Sequence, residues 1–122
     1  IDKYSASDGD LFPWSFTANK IGTVIGTRTW GGIVGISGSL PYMDGTDIRV
    51  PFFTNYDAKS GQWIVENHGV DPDILIDNDP IKEQAGEDQQ LEKAIEVIME
   101  QLKDRKPLPK VPAPRTFKDL GL

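Results

Sequence analysis

The sequence predicts an α/β fold, and three observations support this prediction. A short apolar lead-in, an amphipathic stretch and an apolar run between glycines follow one another, which is the order of a parallel strand–helix–strand unit. Residues 46–66 carry two strand-like runs around a turn, which indicates a β-hairpin. Residues 88–103 place apolar side chains at helical spacing and predict a closing C-terminal helix.

The first third of the chain contains the predicted parallel unit. Residues 1–4 have the pattern of a strand end, and residues 8–20 predict a helix that tolerates Pro13 in its early turns. We expect Gly22 to end this helix. Residues 23–27 then predict a short buried strand, and the two strands should be parallel because a helix connects them.

The middle of the chain is rich in glycine. Residues 28–38 predict tight backbone with a turn at Gly31-Gly32, and the spacing does not match a phosphate-binding loop. Residues 46–54 predict a strand, and Pro51 indicates an edge or a bulge. After a turn, residues 62–66 predict the returning strand of the hairpin.

The last third contains the most regular pattern. Residues 74–76 predict a short strand and residues 77–88 a loop. The helix at 88–103 should bury its apolar stripe as core, and residues 107–122 predict a proline-rich extended tail. The apolar stripe consists of Leu91, Ala94, Ile95, Ile98, Met99 and Leu102.

Composition excludes several classes of function. The 122 residues suffice for one domain, and 38% hydrophobic and 26% charged residues are typical of a globular one. The net charge of −6 without a basic cluster argues against nucleic acid as a partner, and no apolar run reaches the roughly 18 residues of a membrane span. Without cysteine and with one histidine, the chain offers no thiolate or multi-histidine metal site. We therefore expect no metal, no cofactor and no membrane partner.

The stretch Tyr4–Asp10 is the strongest candidate for chemistry. Small residues directly before a helix allow a sharp bend and leave the Ser7 hydroxyl at the helix N-terminus. This position favours a serine nucleophile, because free amides stabilise an anion that forms beside it. The alternative is an ordinary helix cap, since serine is preferred at that position whatever the function.

Other polar and aromatic residues admit plainer interpretations. Ser7, His68 and Glu66 could nominally form a catalytic triad, but an acid two residues from the base rarely orients its ring well. A lone loop histidine is more often a surface residue. Asp10 is predicted to interact with the helix dipole and Arg28 to pair with a carboxylate. The three tryptophans, Trp14, Trp30 and Trp63, are predicted to pack, although Trp30 in the glycine turn could line a cleft.

Four motifs occur in an order that resembles a known family. They are Tyr4–Gly9, Gly26–Gly32, Gly45-Thr46 and the stretch from Gly69 to Asp73. Together they resemble the C-terminal processing peptidases of family S41. Residues 28–35 and the helix that contains Trp14 resemble more specifically the tricorn-type branch. The resemblance covers roughly residues 1–116 and implies a ClpP/crotonase-like core, of which residues 1–106 would be the C-terminal part.

The resemblance also implies roles for individual residues. Ser7 corresponds to the nucleophile, and the amide of Asp8 to half of the oxyanion hole. Glu66 lies where the tricorn type has a glutamate that orients the machinery through a second serine. Trp30, with Gly31 and Gly32, is a candidate for contacting substrate.

One departure from the wider family sets the expected mechanism. Ser–Lys processing peptidases carry a lysine in the glycine turn, where this chain has Trp30-Gly31-Gly32. The resemblance to the tricorn type instead implies a histidine base, and we expect that histidine, its companion serine and the second oxyanion donor in an upstream segment.

Four further expectations concern the setting of the chain. The chain is expected to be inactive alone, and its partners would be that upstream segment and a peptide or unfolded polypeptide substrate. Tricorn relatives also suggest a homo-oligomer. The lack of a signal-peptide pattern favours the cytoplasm, although a missing N-terminus leaves an extracytoplasmic location open.

The alternative function is a non-catalytic ligand- or partner-binding domain with the same fold.

Overall fold

Residues 1–121 form an α/β arrangement of two small sheets and three α-helices. The computed structural model describes residues 1–121, apart from the side chains of residues 37–40. The helices and strands, in chain order, are α1 (Asp8–Ala18), β1 (Ile25–Gly26), β2 (Gly35–Pro41), β3 (Asp47–Phe53), β4 (Ile74–Leu75), α2 (Pro80–Gln84) and α3 (Gln89–Lys103). A 3₁₀ turn, Lys118–Leu120, follows near the C-terminus.

The predicted parallel unit is present at the start of the chain. β1 pairs with β4 in parallel, with Ile25 opposite Ile74. The nitrogen of Ile1 donates to the Ile25 carbonyl at 2.9 Å, and the Ile1 carbonyl accepts from the Thr27 amide at 3.0 Å. This is the hydrogen-bond pattern of a parallel neighbour, so α1 connects two parallel segments as expected. The predicted strand at residues 1–4 is reduced to this single residue, because residues 3 and 4 turn toward α1.

The hairpin exists, but its two strands are not the ones predicted. β2 and β3 pair antiparallel, with Gly35 opposite Phe53 and Pro41 opposite Asp47, and the register is interrupted by irregularities. The returning strand predicted at 62–66 is wrong: only an isolated bridge joins Tyr56 and Trp63. Val65 at φ 64° reverses the chain and cannot continue an extended strand. The sequence does not predict β2 as the partner of β3, because its glycines and serines give no alternation of apolar and polar side chains.

The C-terminal helix is confirmed, and a short helix before it was missed. α3 begins after Asp88, whose carboxylate accepts from the Leu91 amide at 3.0 Å. That hydrogen bond, with a second from the Asn78 amide group, holds the pKa of the Asp88 carboxyl below its usual value. α2 lies within the predicted loop, and its start has a recognisable signal in the Asp79 cap followed by Pro80.

The apolar stripe of α3 is not core within this chain, contrary to expectation. No residue of α3 is buried, and Leu91, Ile95, Ile98 and Met99 are each more than half exposed. Among residues 1–121, no helix has the length and apolarity that a membrane span requires.

The core lies between α1 and two irregular loops. Ile33, Ile64, Val65 and Val70 form a buried cluster, and Leu11 and Trp14 of α1 pack against it. The prediction that the tryptophans pack is therefore confirmed for Trp14. Trp30 and Trp63 lie outside this core and are 66% and 74% exposed, although the Trp63 ring meets the Tyr56 ring edge to face.

The tail after α3 has little regular structure. Residues 107–116 are exposed and form no helix or strand. The division into residues 1–106 and a tail of residues 107–122 stays a prediction.

Candidate active site

Ser7 adopts a backbone conformation that serine rarely takes. It occupies the position before α1 with φ 58° and ψ −114°, and its side chain makes no capping hydrogen bond. Such a conformation costs a non-glycine residue about 1–3 kcal/mol, and strain of this kind clusters at functional sites. The capping interpretation is therefore wrong for the side chain. The turn exposes the hydroxyl instead of directing it to the helix amides.

The amide next to this hydroxyl is free. Ser7 donates its own amide to the Gly32 carbonyl at 3.2 Å, and the amides of Gly9 and Asp10 donate to Ala6 and Ser7. Within residues 1–121, the amide of Asp8 meets no acceptor. It lies in the first turn of α1, where the helix dipole favours negative charge. The site thus offers one donor next to the Ser7 hydroxyl.

Asp2 fixes the run of small residues before Ser7. Its carboxylate accepts from the amides of Tyr4 and Ser5 at 2.9 Å and from the Ser5 hydroxyl at 3.0 Å. Slight burial would raise the pKa of Asp2, but these hydrogen bonds outweigh it and lower the pKa. The hydroxyl of Ser5 is thereby engaged. The hydroxyl of Ser7 is left without a partner among the groups that the structure describes.

Two carboxylates bind the backbone amides of residues 31–34, which we call the glycine segment. This segment supports Ser7 by accepting its amide hydrogen bond. Asp10 accepts from the amides of Gly31 and Gly32 at 2.8 and 3.2 Å. Glu66 accepts from the next two amides, those of Ile33 and Val34, at 2.7 and 3.0 Å. Four successive amides are therefore satisfied by two acids that are distant in sequence. Because Gly32 accepts the Ser7 amide, the glycine segment links the backbone of Ser7 to Glu66.

The glycine segment packs directly on the loop of residues 67–70. At Gly31, where φ is +85°, a Cβ would lie 2.5 Å from the Gly69 nitrogen. At Gly69, where φ is +84°, it would lie 2.2 Å from the Thr29 carbonyl oxygen. Thr29 is buried, and its hydroxyl accepts from the Val70 amide at 2.7 Å. Only glycine allows these two backbones to approach so closely.

Glu66 follows a second strained residue. Val65 has φ 64°, and the Glu66 amide donates to the Ile64 carbonyl at 2.6 Å, which closes a three-residue γ-turn. A β-branched residue in this region is an outlier. Only one carboxylate oxygen of Glu66 receives the two amides. The other has no protein donor among the described groups, so half of the carboxylate is available.

Among the described residues, no hydrogen bond joins His68 to Ser7. Its Nδ1 lies 3.0 Å from the Gly69 carbonyl oxygen, and its Nε2 lies 3.8 Å from a carboxylate oxygen of Asp71. Asp71 also accepts from Arg28 at 2.6 Å, so the prediction that Arg28 pairs with a carboxylate is confirmed. The nominal triad of Ser7, His68 and Glu66 is therefore not formed by the side chains of the described chain.

Trp30, Gly31 and Gly32 have different exposures. The amide of Trp30 donates to the Ser5 carbonyl at 2.9 Å, and its ring lies exposed over Gly32. The amides of Gly31 and Gly32 are held by Asp10, and their carbonyls accept from Asn67 and Ser7. A contact between these three residues and substrate stays a prediction. The Trp30 ring is the part that a ligand can reach.

An open apolar groove begins at the end of the glycine segment. It has a volume of about 570 Å³ and is lined by Val34, Phe52, Phe53, Tyr56 and Trp63, among others. The rings of Tyr56 and Trp63 meet edge to face, with centroids 6.3 Å apart. An apolar side chain of a bound ligand would find aromatic surface there.

The sequence did not reveal the role of Asp10. Its position in the first turn of α1 predicts an acid favoured by the helix dipole, and the structure shows a side chain that is 0% exposed. The available signal was a pair of adjacent glycines, whose amides need acceptors when buried. Nothing local links that pair to an acid 21 residues earlier.

An exposed hydroxyl on a strained turn into a helix, beside a free amide, is the local geometry of serine hydrolases. Comparison with known proteins agrees with this class. The sequence profile of peptidase family S41 matches residues 1–76, and the chain belongs to this family. Its similarity is to the tricorn type.

Two relatives and one structure illustrate that similarity. Tricorn protease of Thermoplasma volcanium is 46% identical over 105 residues, which are 86% of this chain and 10% of the relative. A putative tricorn-like protease C-terminal subunit of Sulfurisphaera tokodaii is 40% identical over 85% of this chain and 12% of its own length. A crystal structure of tricorn protease matches with a TM-score of 0.75 at 42% identity, over 84% of this chain and 10% of the other.

The comparison confirms the α/β fold as a partial ClpP/crotonase-like core. The chain spans about a tenth of the length of these relatives.

Proposed function

We propose that this chain supplies the nucleophile and one oxyanion-hole donor of a serine peptidase. The observation that carries the proposal is the strained backbone of Ser7 (φ 58°), which exposes an uncapped hydroxyl beside the free Asp8 amide. Membership of a peptidase family supports the reaction class. Peptides or unfolded polypeptides are the proposed substrates.

The proposed reaction proceeds through an acyl-enzyme. Ser7 Oγ gives its proton to a base and attacks the carbonyl carbon of a peptide bond, which forms a tetrahedral oxyanion. The Asp8 amide donates to that oxyanion. When the intermediate collapses, the C–N bond breaks and the amine leaves with the proton from the base. Water then gives a proton to the same base and attacks the ester carbon. The C–O bond to Ser7 breaks, Ser7 Oγ takes the proton back from the base, and the carboxylic acid is released.

Glu66 is proposed to act through its free carboxylate oxygen. One oxygen of Glu66 is occupied by Ile33 and Val34, and the other has no donor among residues 1–121. A hydroxyl from a neighbouring segment fits there, in keeping with the role that the tricorn-type resemblance implies. The γ-turn at Val65 would hold this acid at a fixed place relative to the glycine segment.

The general base is proposed to be a histidine from outside this chain. The one histidine here, His68, faces Gly69 and Asp71. A second oxyanion donor and the companion serine of Glu66 are proposed to come from the same source. A homo-oligomer, as suggested by the resemblance, is compatible with the exposed apolar face of α3.

The isolated chain of residues 1–122 is expected to show no peptidase activity. Loss of one oxyanion donor alone costs about 2.7–4 kcal/mol in such sites, and the isolated chain also lacks the proposed base. The measurement is hydrolysis of fluorogenic peptides by the isolated chain and by the full-length protein that contains it, at equal molar concentration. Turnover by the full-length protein alone is the expected result. Turnover by the isolated chain that disappears in Ser7→Ala would contradict the external base.

A further inference from the structure

The buried carboxylate of Asp10 has no catalytic role in the proposed reaction, yet it is the most completely buried large side chain of the described residues. It is 0% exposed, and no salt bridge among residues 1–121 includes it. A buried carboxylate is unfavourable unless hydrogen bonds replace its water. Here the replacements are the amides of Gly31 and Gly32, at 2.8 and 3.2 Å.

These hydrogen bonds are part of a closed ring that contains Ser7. The Asp10 amide donates to the Ser7 carbonyl at 2.9 Å, and the Ser7 amide donates to the Gly32 carbonyl at 3.2 Å. The Asp10 side chain closes the ring by binding Gly32. The Ser7 carbonyl is therefore held by the Asp10 amide. The Ser7 amide is held by Gly32, which the Asp10 side chain holds in turn. A strained conformation persists only when its surroundings impose it.

We propose that Asp10 is a positioning residue, which fixes the glycine segment and through it the Ser7 hydroxyl. This inference rests on the proposed function. Asp10 touches neither substrate nor reacting atoms, because its side chain is completely buried. Its effect is on the place of the nucleophile, and a displacement of about 1 Å at a reacting atom can lower the rate about 10²-fold.

The substitution that tests this role is Asp10→Asn in the full-length protein. The asparagine side chain keeps the shape of the aspartate. Its NH₂ group, however, faces the amide of one glycine, so two hydrogen-bond donors point at each other without an acceptor. We expect kcat to fall about 10²-fold with KM changed less than about threefold, because the buried Asp10 side chain does not itself contact substrate. The rate constant for Ser7 acylation by a fluorophosphonate should fall in parallel.

Asp57→Asn is the matched control. Asp57 also accepts two backbone amides, from Lys59 at 3.0 Å and Ser60 at 3.1 Å, in a turn that is not part of the ring. This variant loses the same kind of carboxylate–amide interaction and should keep the wild-type kcat. A fall of similar size in Asp57→Asn would mean that any such loss slows the enzyme and would overturn the positioning role.

The outcomes separate this inference from the function on which it rests. If a fluorophosphonate does not label Ser7 of the folded wild-type protein, the proposed function fails and the inference fails with it. If Ser7 is labelled and folded Asp10→Asn reacts within about twofold of wild type, only the positioning role is overturned.

Folding of the variants is followed by circular dichroism. Where Asp10→Asn does not fold, Asp10→Glu replaces it, since the longer acid keeps the charge while displacing the glycine amides. Slow labelling of folded Asp10→Glu supports the proposal. Failure of both variants to fold would show that Asp10 serves the fold alone and would overturn it.

Discussion

Replacing Ser7 by alanine is expected to abolish peptide hydrolysis by the full-length protein. Removal of a serine nucleophile lowers kcat by roughly four to six orders of magnitude in comparable enzymes. The fold should remain, because the Ser7 side chain makes no hydrogen bond that α1 needs and the residue is exposed. The measurement is kcat/KM on a fluorogenic peptide, with circular dichroism to compare the folded states.

Ser5→Ala is the matched control for this substitution. Ser5 lies two residues earlier in the same small-residue run, and its hydroxyl is bound to Asp2 at 3.0 Å. It should keep activity near the wild-type level. The nucleophile assignment would be wrong if Ser7→Ala kept more than about 1% of wild-type activity or if Ser5→Ala were the inactive variant.

Replacing Gly31 by alanine is expected to disrupt the site by steric collision. The new Cβ would lie 2.5 Å from the Gly69 nitrogen and 2.9 Å from His68 backbone atoms. These are backbone atoms and cannot turn away, so the loop of residues 67–70 must separate from the glycine segment. We expect the rate of Ser7 labelling and the temperature at which labelling is lost to fall together.

Gly45→Ala separates the collision from the effect of backbone conformation. Gly45 has φ +84°, close to the +85° of Gly31, but nothing lies within 4 Å of its Cβ position. This variant should lose only about 1–3 kcal/mol of the free energy of unfolding, which is the cost of a positive φ in a non-glycine residue. Ser7 should still be labelled. Equal effects of the two substitutions would contradict close packing of the two loops as the cause.

Local patterns in the sequence were sufficient for α3 and for the parallel unit at the start of the chain. α3 was predicted within one residue, because its apolar residues recur at helical spacing and Asp88 caps its start. The parallel unit followed from the order of its segments. The glycines and serines of β2 give no period, and the short helix α2 is marked in the sequence only by Asp79-Pro80 at its start.

The candidate site was predictable only in part. The hydroxyl of Ser7 could be singled out from the small residues around it. The hydrogen bonds of Asp10 and Glu66 join residues 21 to 33 positions apart, and no local pattern encodes such contacts. The same limit applies to the α3 stripe: periodicity predicts an apolar face, but it does not predict what covers that face.

Mapping of a fluorophosphonate adduct tests the central claim most directly. The full-length protein is labelled, digested and analysed by mass spectrometry, with Ser7→Ala as the control. A serine nucleophile at the start of α1 predicts one adduct, on Ser7, that is absent from the variant. An adduct on another residue would contradict this assignment. A folded protein with neither adduct nor peptide hydrolysis would contradict it as well, and would favour a binding domain built on the same fold.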